Sequence, residues 1–312
     1  MVHKRHRDLV HRWEGNPIIT IEDISFQCAN ISNAGAIKFR GEYILLLTIQ
    51  SLEGLHSIYL ARSSDGVDFN IEGHPILSPS SEGPDVEYDK LGVLDARITR
   101  LGNRFYISYD AVGPHGYRVG LARTEDFTSI ERLGFVSEPD MKGGVLFPRK
   151  IKGKYARLER PWESGSIWIS FSKDLIYWGG AEVVLTPRGG FWDCDRVGVA
   201  TPPLLIDQGW LLIYYGVKHT SAGPLFRLGA AMLDVENPAN VVARTDEPIL
   251  SPREYYERIG DLPNLVFSCG SILEPDDEVK LYYGASNSCI ALGTTSVTRI
   301  VEACLNGEEV AS

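Results

Sequence analysis

Short apolar runs alternate with glycine- and acid-rich turns along this chain, and one arrangement of them recurs five times. A run rich in aromatic and branched residues is followed by a second run that ends on a polar turn. The first runs cover residues 42–47, 104–109, 154–158, 210–215 and 279–283; the second cover 57–63, 120–124, 167–172, 228–233 and 290–294. Tyr43-Ile44-Leu45-Leu46-Leu47 and Leu211-Leu212-Ile213-Tyr214-Tyr215 are almost wholly apolar, which suits strands covered on both faces. Turn signals precede the first runs, among them Arg40-Gly41, Gly102-Asn103 and Gln208-Gly209. A two-strand unit repeating every roughly 50 to 70 residues cannot bury its apolar face alone and must pack on its copies. The pattern predicts an all-β fold, a five-bladed β-propeller. It spans almost everything after residue 30, so residues 1–312 are expected to form one domain with a short N-terminal extension. Helix is expected only as a short turn within 252–260. Ser64-Asp65-Gly66, Asp126 and Asp174 are expected to shape turns.

The segments ahead of each pair, 31–37, 91–99, 141–150, 191–203 and 262–271, carry polar or glycine residues where a propeller has its innermost strands. Their polar side chains should face an axial channel. Asp95 and Arg97 stand two apart on such a strand and should share a face, as an ion pair or as a proton donor with its neighbour. Lys142, Arg157 and Arg160 belong to the most basic stretch of the chain. An arginine turned inward near Lys142 requires an anion, either a protein carboxylate (Asp95, Glu159 or Asp193) or phosphate. Asp193, Asp195 and Arg196 follow Phe191-Trp192, and an aromatic shelf beside carboxylates can hold a sugar ring, although Trp192 fits a core equally well. The histidines occur singly, so no metal site is expected. Loops 73–87 and 189–194 are expected to lie over the channel mouth and set specificity.

Composition narrows the setting. With 44% hydrophobic residues in 312, the chain can fill a large core. A formal charge of −10 leaves no basic footprint for nucleic acid. Five cysteines without a Cys-x-x-Cys pair suit a reducing compartment. Lys4-Arg5-His6-Arg7 is followed by no apolar segment of signal-peptide type, and no apolar stretch reaches the about 18 residues of a membrane span. A cytoplasmic protein without membrane partners is expected. The basic N-terminal segment could pack on a second copy, making a homo-oligomer possible.

Several stretches together carry a family likeness: Asn33-Ala34-Gly35-Ala36, Val93-Leu94-Asp95-Ala96-Arg97-Ile98-Thr99, Val145-Leu146-Phe147-Pro148-Arg149-Lys150-Ile151, Arg160-Pro161, Gly209-Trp210-Leu211-Leu212-Ile213-Tyr214 and Pro263-Asn264-Leu265-Val266-Phe267. From about residue 16 to residue 300 the chain resembles glycoside hydrolase family 130, the β-mannoside phosphorylases and hydrolases built on a five-bladed propeller. The resemblance implies inverting attack on a β-mannosidic bond, with Asp95 as general acid delivering its proton through a sugar hydroxyl. It implies inorganic phosphate as co-substrate, no further cofactor, and a phosphate site at Lys142, Arg160 and Tyr215. Departures from the family are Lys142 for arginine, Gly143 for asparagine, Tyr215 for histidine, Thr48 for arginine and Leu94 for a polar residue. Asn33, Arg97, Asp193 and Asn287 are the implied substrate-binding positions for a β-linked oligosaccharide. The expected activity is phosphorolysis of a β-mannoside to a mannose 1-phosphate. The alternatives are an inverting β-mannosidase using Glu159 or Asp195 as base, action on another glycoside, or a non-catalytic glycan-binding propeller.

Overall fold

The computed structural model describes residues 8–306, and almost all of their regular structure is strand. The basic segment Lys4–Arg7 and its expected contact with a second copy lie outside the described residues. After β1 (His11–Arg12), the chain forms antiparallel meanders. The first is β2 (Asn30–Phe39), β3 (Glu42–Gln50), β4 (His56–Ser63) and β5 (Asn70–Leu77); the second is β6 (Gly92–Leu101), β7 (Arg104–Gly113), β8 (Gly116–Thr124) and β9 (Glu131–Phe135). A parallel bridge, His56 to Gly92, links the backbones of these two. The third is β10 (Met141–Leu146), β11 (Tyr155–Pro161), β12 (Ile167–Ser172) and β13 (Trp178–Leu185). In the fourth, β14 (Arg196–Val199) and β15 (Leu204–Ile206) both pair with β16 (Gly209–Thr220), followed by β17 (Gly223–Leu233) and β18 (Val241–Arg244). The fifth is β19 (Val266–Leu273), β20 (Glu278–Ala285) and β21 (Cys289–Ser296), and β1 supplies its fourth strand through His11–Thr294 and Arg12–Gly293.

Period-two side-chain alternation explains the packing. On β3, Leu45 and Leu47 enter the core shared with the fifth meander, while Ile44 and Leu46 enter the core shared with the second. Each remaining pair of successive meanders likewise encloses its own apolar cluster. Arg12 fastens the closing strand, with Nε 2.7 Å from Glu257 Oε1 and Nη1 2.9 Å from Asp8 Oδ2. Asp65, Asp126 and Asp174 cap turns, as expected: Asp65 accepts from the amides of Val67 and Asp68, which hold its carboxyl down to about 2.

Among the described residues three short α-helices are present: α1 (Val86–Asp89), α2 (Tyr255–Arg258) and α3 (Val297–Asn306). The expectation of helix only within 252–260 fits α2 and fails for the other two. In α3 the buried Val297, Ile300, Val301 and Cys304 fall at helical spacing and pack on the core of the fourth and fifth meanders. Among the described residues no helix is long and apolar enough to cross a membrane.

Candidate active site

The first strand of every meander contributes to one cavity of about 240 Å³. Four of these strands are bulged at the cavity, with register shifts at Ser32/Ala34, Leu94/Arg97, Lys142/Val145 and Ser268/Gly270. A bulge inserts one residue and re-aims its side chain. Asn33, Asp95 and Gly143 occupy these insertions with φ of 40°, 56° and 67°. Two of the three are non-glycine residues in left-handed conformation, a strain that folded structures retain mainly at functional sites.

Asp95 is buried and held from three sides. Its amide donates to Thr48 Oγ1 at 3.0 Å, and its Oδ1 accepts from Asn33 Nδ2 at 2.7 Å. Its Oδ2 stands 3.9 Å from Lys142 Nζ. The expected pairing of the Asp95 carboxylate with Arg97 does not form, because the bulge breaks plain alternation. Arg97 instead donates to the carbonyl oxygens of Asp95 at 2.8 Å, Ala200 at 2.9 Å and Val199 at 3.3 Å, tying β6 to the fourth meander.

Burial opposes the charge on Lys142, yet Asp95 and Asp110 together raise it above its ordinary value. Asp110, on β7, lies 3.9 Å from the same ammonium and accepts from the Gly143 amide at 2.7 Å. Opposite, Arg160 Nε donates to Tyr215 Oη at 3.2 Å and its Nη1 to the carbonyls of Pro161 and Trp162. Gly198 leaves room for the Tyr215 ring, which a Cβ there would strike. Arg196 also faces the cavity, with Nε buried and unpartnered. Burial lowers its pKa and nearby Arg160 adds to that. Among the described residues neither guanidinium forms an ion pair with a carboxylate. His56 completes this wall, and burial holds its imidazole below the ordinary value and so neutral at pH 7.

At the rim, Trp162 is 42% exposed and stacks on Tyr117 at 5.2 Å and 11°. Asn287 lines the edge and donates to Asp261 at 2.9 Å. This exposed shelf contrasts with Trp192, which is buried against Tyr214 in the core.

Asn33, Asp95, Arg97, Lys142, Arg160, Tyr215 and Asn287 thus meet in one cavity. Asp193 does not: it is fully buried and consumed by Arg188, Arg244 and Tyr214, with Arg244 Nη2 at 2.6 Å. Glu159 faces away from Arg160, buried in an ion pair with Arg157 at 2.5 Å and accepting from Ser170 Oγ at 2.8 Å. Asp195 lies outside the cavity, bonded to the backbone and ring of His219. The structure therefore places these three, expected to bind substrate or act as base, outside the cavity lining. Loops 73–87 and 189–194 contribute no lining residue. Asp110, His56 and Trp162 were not singled out from sequence, and Arg196 was noted there only beside Asp193 and Asp195. Asp110 carried one signal, the one charged residue in the run 105–112.

Comparison with known proteins supplies context. The glycoside hydrolase family 130 profile, described as beta-1,4-mannooligosaccharide phosphorylase, matches residues 3–306. The chain is 30% identical to the beta-1,2-mannobiose phosphorylase of Listeria innocua, over 90% of this chain and 94% of that protein. It is 34% identical to a 1,2-beta-oligomannan phosphorylase of Thermoanaerobacter sp., over 85% and 89% of the two chains. The solved Listeria innocua enzyme in complex with beta-1,2-mannobiose superposes with a TM-score of 0.86, covering 95% of this chain and 99% of that one.

Proposed function

The chain belongs to glycoside hydrolase family 130, and from that premise we propose that it is an inverting phosphorylase that cleaves a β-mannoside with inorganic phosphate. The observation that carries this is one buried acid in a cavity with Arg160 and Arg196, two guanidiniums that among the described residues have no carboxylate partner. Desolvated guanidiniums are costly unless an anion meets them, and phosphate satisfies them with short charge-assisted bonds. Arg160, Arg196, Lys142 and the Tyr215 hydroxyl form the phosphate site. Asp95 is the general acid. A phosphate oxygen bonds to the anomeric carbon, the bond from that carbon to the glycosidic oxygen breaks, and the Asp95 proton ends on the departing oxygen. Mannose 1-phosphate and the shortened glycoside are the products. Asn33 fixes the Asp95 carboxyl, Arg97 fixes its backbone, and Asn287 and the Trp162 shelf contact sugar.

Water as nucleophile would need a carboxylate base in the cavity, and Glu159 and Asp195, the two carboxylates that sequence had suggested for that role, lie outside it. The five meanders, with an apolar cluster between each successive pair and β1 closing the last, support a five-bladed propeller forming one domain over residues 1–312.

The test is product formation from β-1,2-, β-1,3- and β-1,4-linked mannosides with and without phosphate. The names of the relatives make β-1,2-linked substrates the first to assay. Release of mannose 1-phosphate only when phosphate is present is expected, and Arg196→Met should raise the KM for phosphate at least tenfold, the loss of one charge-assisted contact. Equal turnover in phosphate-free buffer refutes phosphorolysis.

A further inference from the structure

Asp110 sits on β7, the one charged residue among Phe105, Tyr106, Ile107, Ser108, Tyr109 and Ala111, and is fully buried. Oδ1 accepts from the Gly143 amide and so pins the β10 bulge. Oδ2 has no hydrogen-bond partner and stands 3.9 Å from the Lys142 ammonium. That ammonium is also 3.9 Å from Asp95 Oδ2. One cation therefore serves two carboxylates at equal distance. The other nearby cation, Arg97, directs its guanidinium at three carbonyl oxygens rather than at either carboxylate.

We infer that Asp110 is a positioning residue that divides Lys142 between two carboxylates and thereby keeps a proton on Asp95 for the departing sugar. The inference rests on the proposed acid role of Asp95. An ammonium paired with Asp95 alone would hold it as a carboxylate, which cannot donate; a second carboxylate loosens that hold by like-charge repulsion. Burial pushes Asp110 up to about 6 against the pull of Lys142, and Asp95 adds to the rise. Two carboxyls around one ammonium are coupled by like-charge repulsion, so a charge on one opposes a charge on the other. The other groups facing this cluster do not supply the missing charge. Cys269 on β19 has its thiol pushed up by burial, Tyr117 and Tyr215 are phenols beside Lys142, and His56 on β4 is neutral. A phosphate that engages Lys142 draws the ammonium from both carboxylates, and a proton from solvent settles on the pair, so the co-substrate loads the acid.

The experiment is the pH dependence of kcat/KM for the mannoside at saturating phosphate, in the wild type and in Asp110→Asn. Asparagine keeps an acceptor for the Gly143 amide and removes the charge. Activity falls as pH rises through the pKa of the donor, and in Asp110→Asn that alkaline limb should move down by about one pH unit, with activity at the acid end retained. The ionisation of phosphate affects both proteins equally and leaves the difference intact. Superimposable profiles overturn the inference, as does a loss of activity that is uniform in pH. Asp95→Asn is the control: if it retains wild-type activity the acid role itself fails, whereas an inactive Asp95→Asn with an unmoved Asp110→Asn profile rejects only the role of Asp110. Should Asp110→Asn not fold, carbon-13 NMR of aspartate carboxyls in the wild type decides. One carboxyl titrating near 6, moving lower in Asp95→Asn, is expected; no carboxyl titrating above about pH 5 overturns the inference.

Discussion

Replacing Glu159 by glutamine separates a structural carboxylate from a catalytic one. Glu159 and Arg157 are each 2% exposed, and their ion pair at 2.5 Å lies between β11, β12 and the Trp178 ring, 4.2 Å from the guanidinium. Glu159→Gln keeps the volume and an acceptor for Ser170 but leaves Arg157 charged in a dry site, with the Val136 carbonyl at 2.6 Å as its remaining polar contact. Breaking a buried pair by removing one partner costs about 3–5 kcal/mol, and the retained amide oxygen recovers about 1. A loss near 3 kcal/mol follows, roughly a 150-fold change in the unfolding equilibrium. For a chain of 312 residues this corresponds to a fall in Tm of about 5 °C. Urea unfolding and calorimetry measure the loss, and steady-state kinetics with phosphate and a mannoside should stay within about twofold of wild type. The double variant Arg157→Met with Glu159→Leu should recover most of the stability, since a packed apolar pair avoids the desolvation of both ions. Unchanged stability with a hundredfold fall in kcat would refute the reasoning and put Glu159 in the chemistry.

Two further outcomes are expected. Trp162→Ala should raise the KM for the mannoside about fivefold while leaving the KM for phosphate near wild type, because an aromatic face supplies roughly 1 kcal/mol; initial rates over a grid of both substrates measure it. Arg12→Met leaves the buried Glu257 carboxylate without its cation and Asp8 with Arg253 alone, so stability should fall by about 3 kcal/mol and limited proteolysis should cut first near β1.

Much of the fold was legible in the sequence because β3, β7, β16 and β20 are buried on both faces and read as continuous apolar runs. Their outer neighbours were not. In β13 most positions from Trp178 to Glu182 are exposed, and β18 is only partly buried, so neither shows the alternation that marks a half-buried strand. The site was legible where a charge interrupts an inner strand, as at Asp95 and Lys142. It misled where local chemistry imitates a sugar site. Asp193 beside Trp192 looks like one, but its partners Arg188 and Arg244 lie 5 and 51 residues away, and only the fold reveals that they occupy it. The bulges left no period-two signal either, which is why Asp95 and Arg97 looked like a pair.

The pairing of β1 with β21 also orders events in time. His11 meets Thr294, so the earliest described strand waits for nearly the whole chain to be synthesised before its partner exists. Until then the fifth sheet lacks an edge strand and Asp8, Arg12 and Glu257 stay hydrated and apart. Sequence-distant contacts form slowly, and an unpaired strand edge is the surface on which incomplete chains associate. Closure is therefore a checkpoint late in biogenesis, and yield in the cell should respond to the N-terminal strand more sharply than activity of the finished protein does.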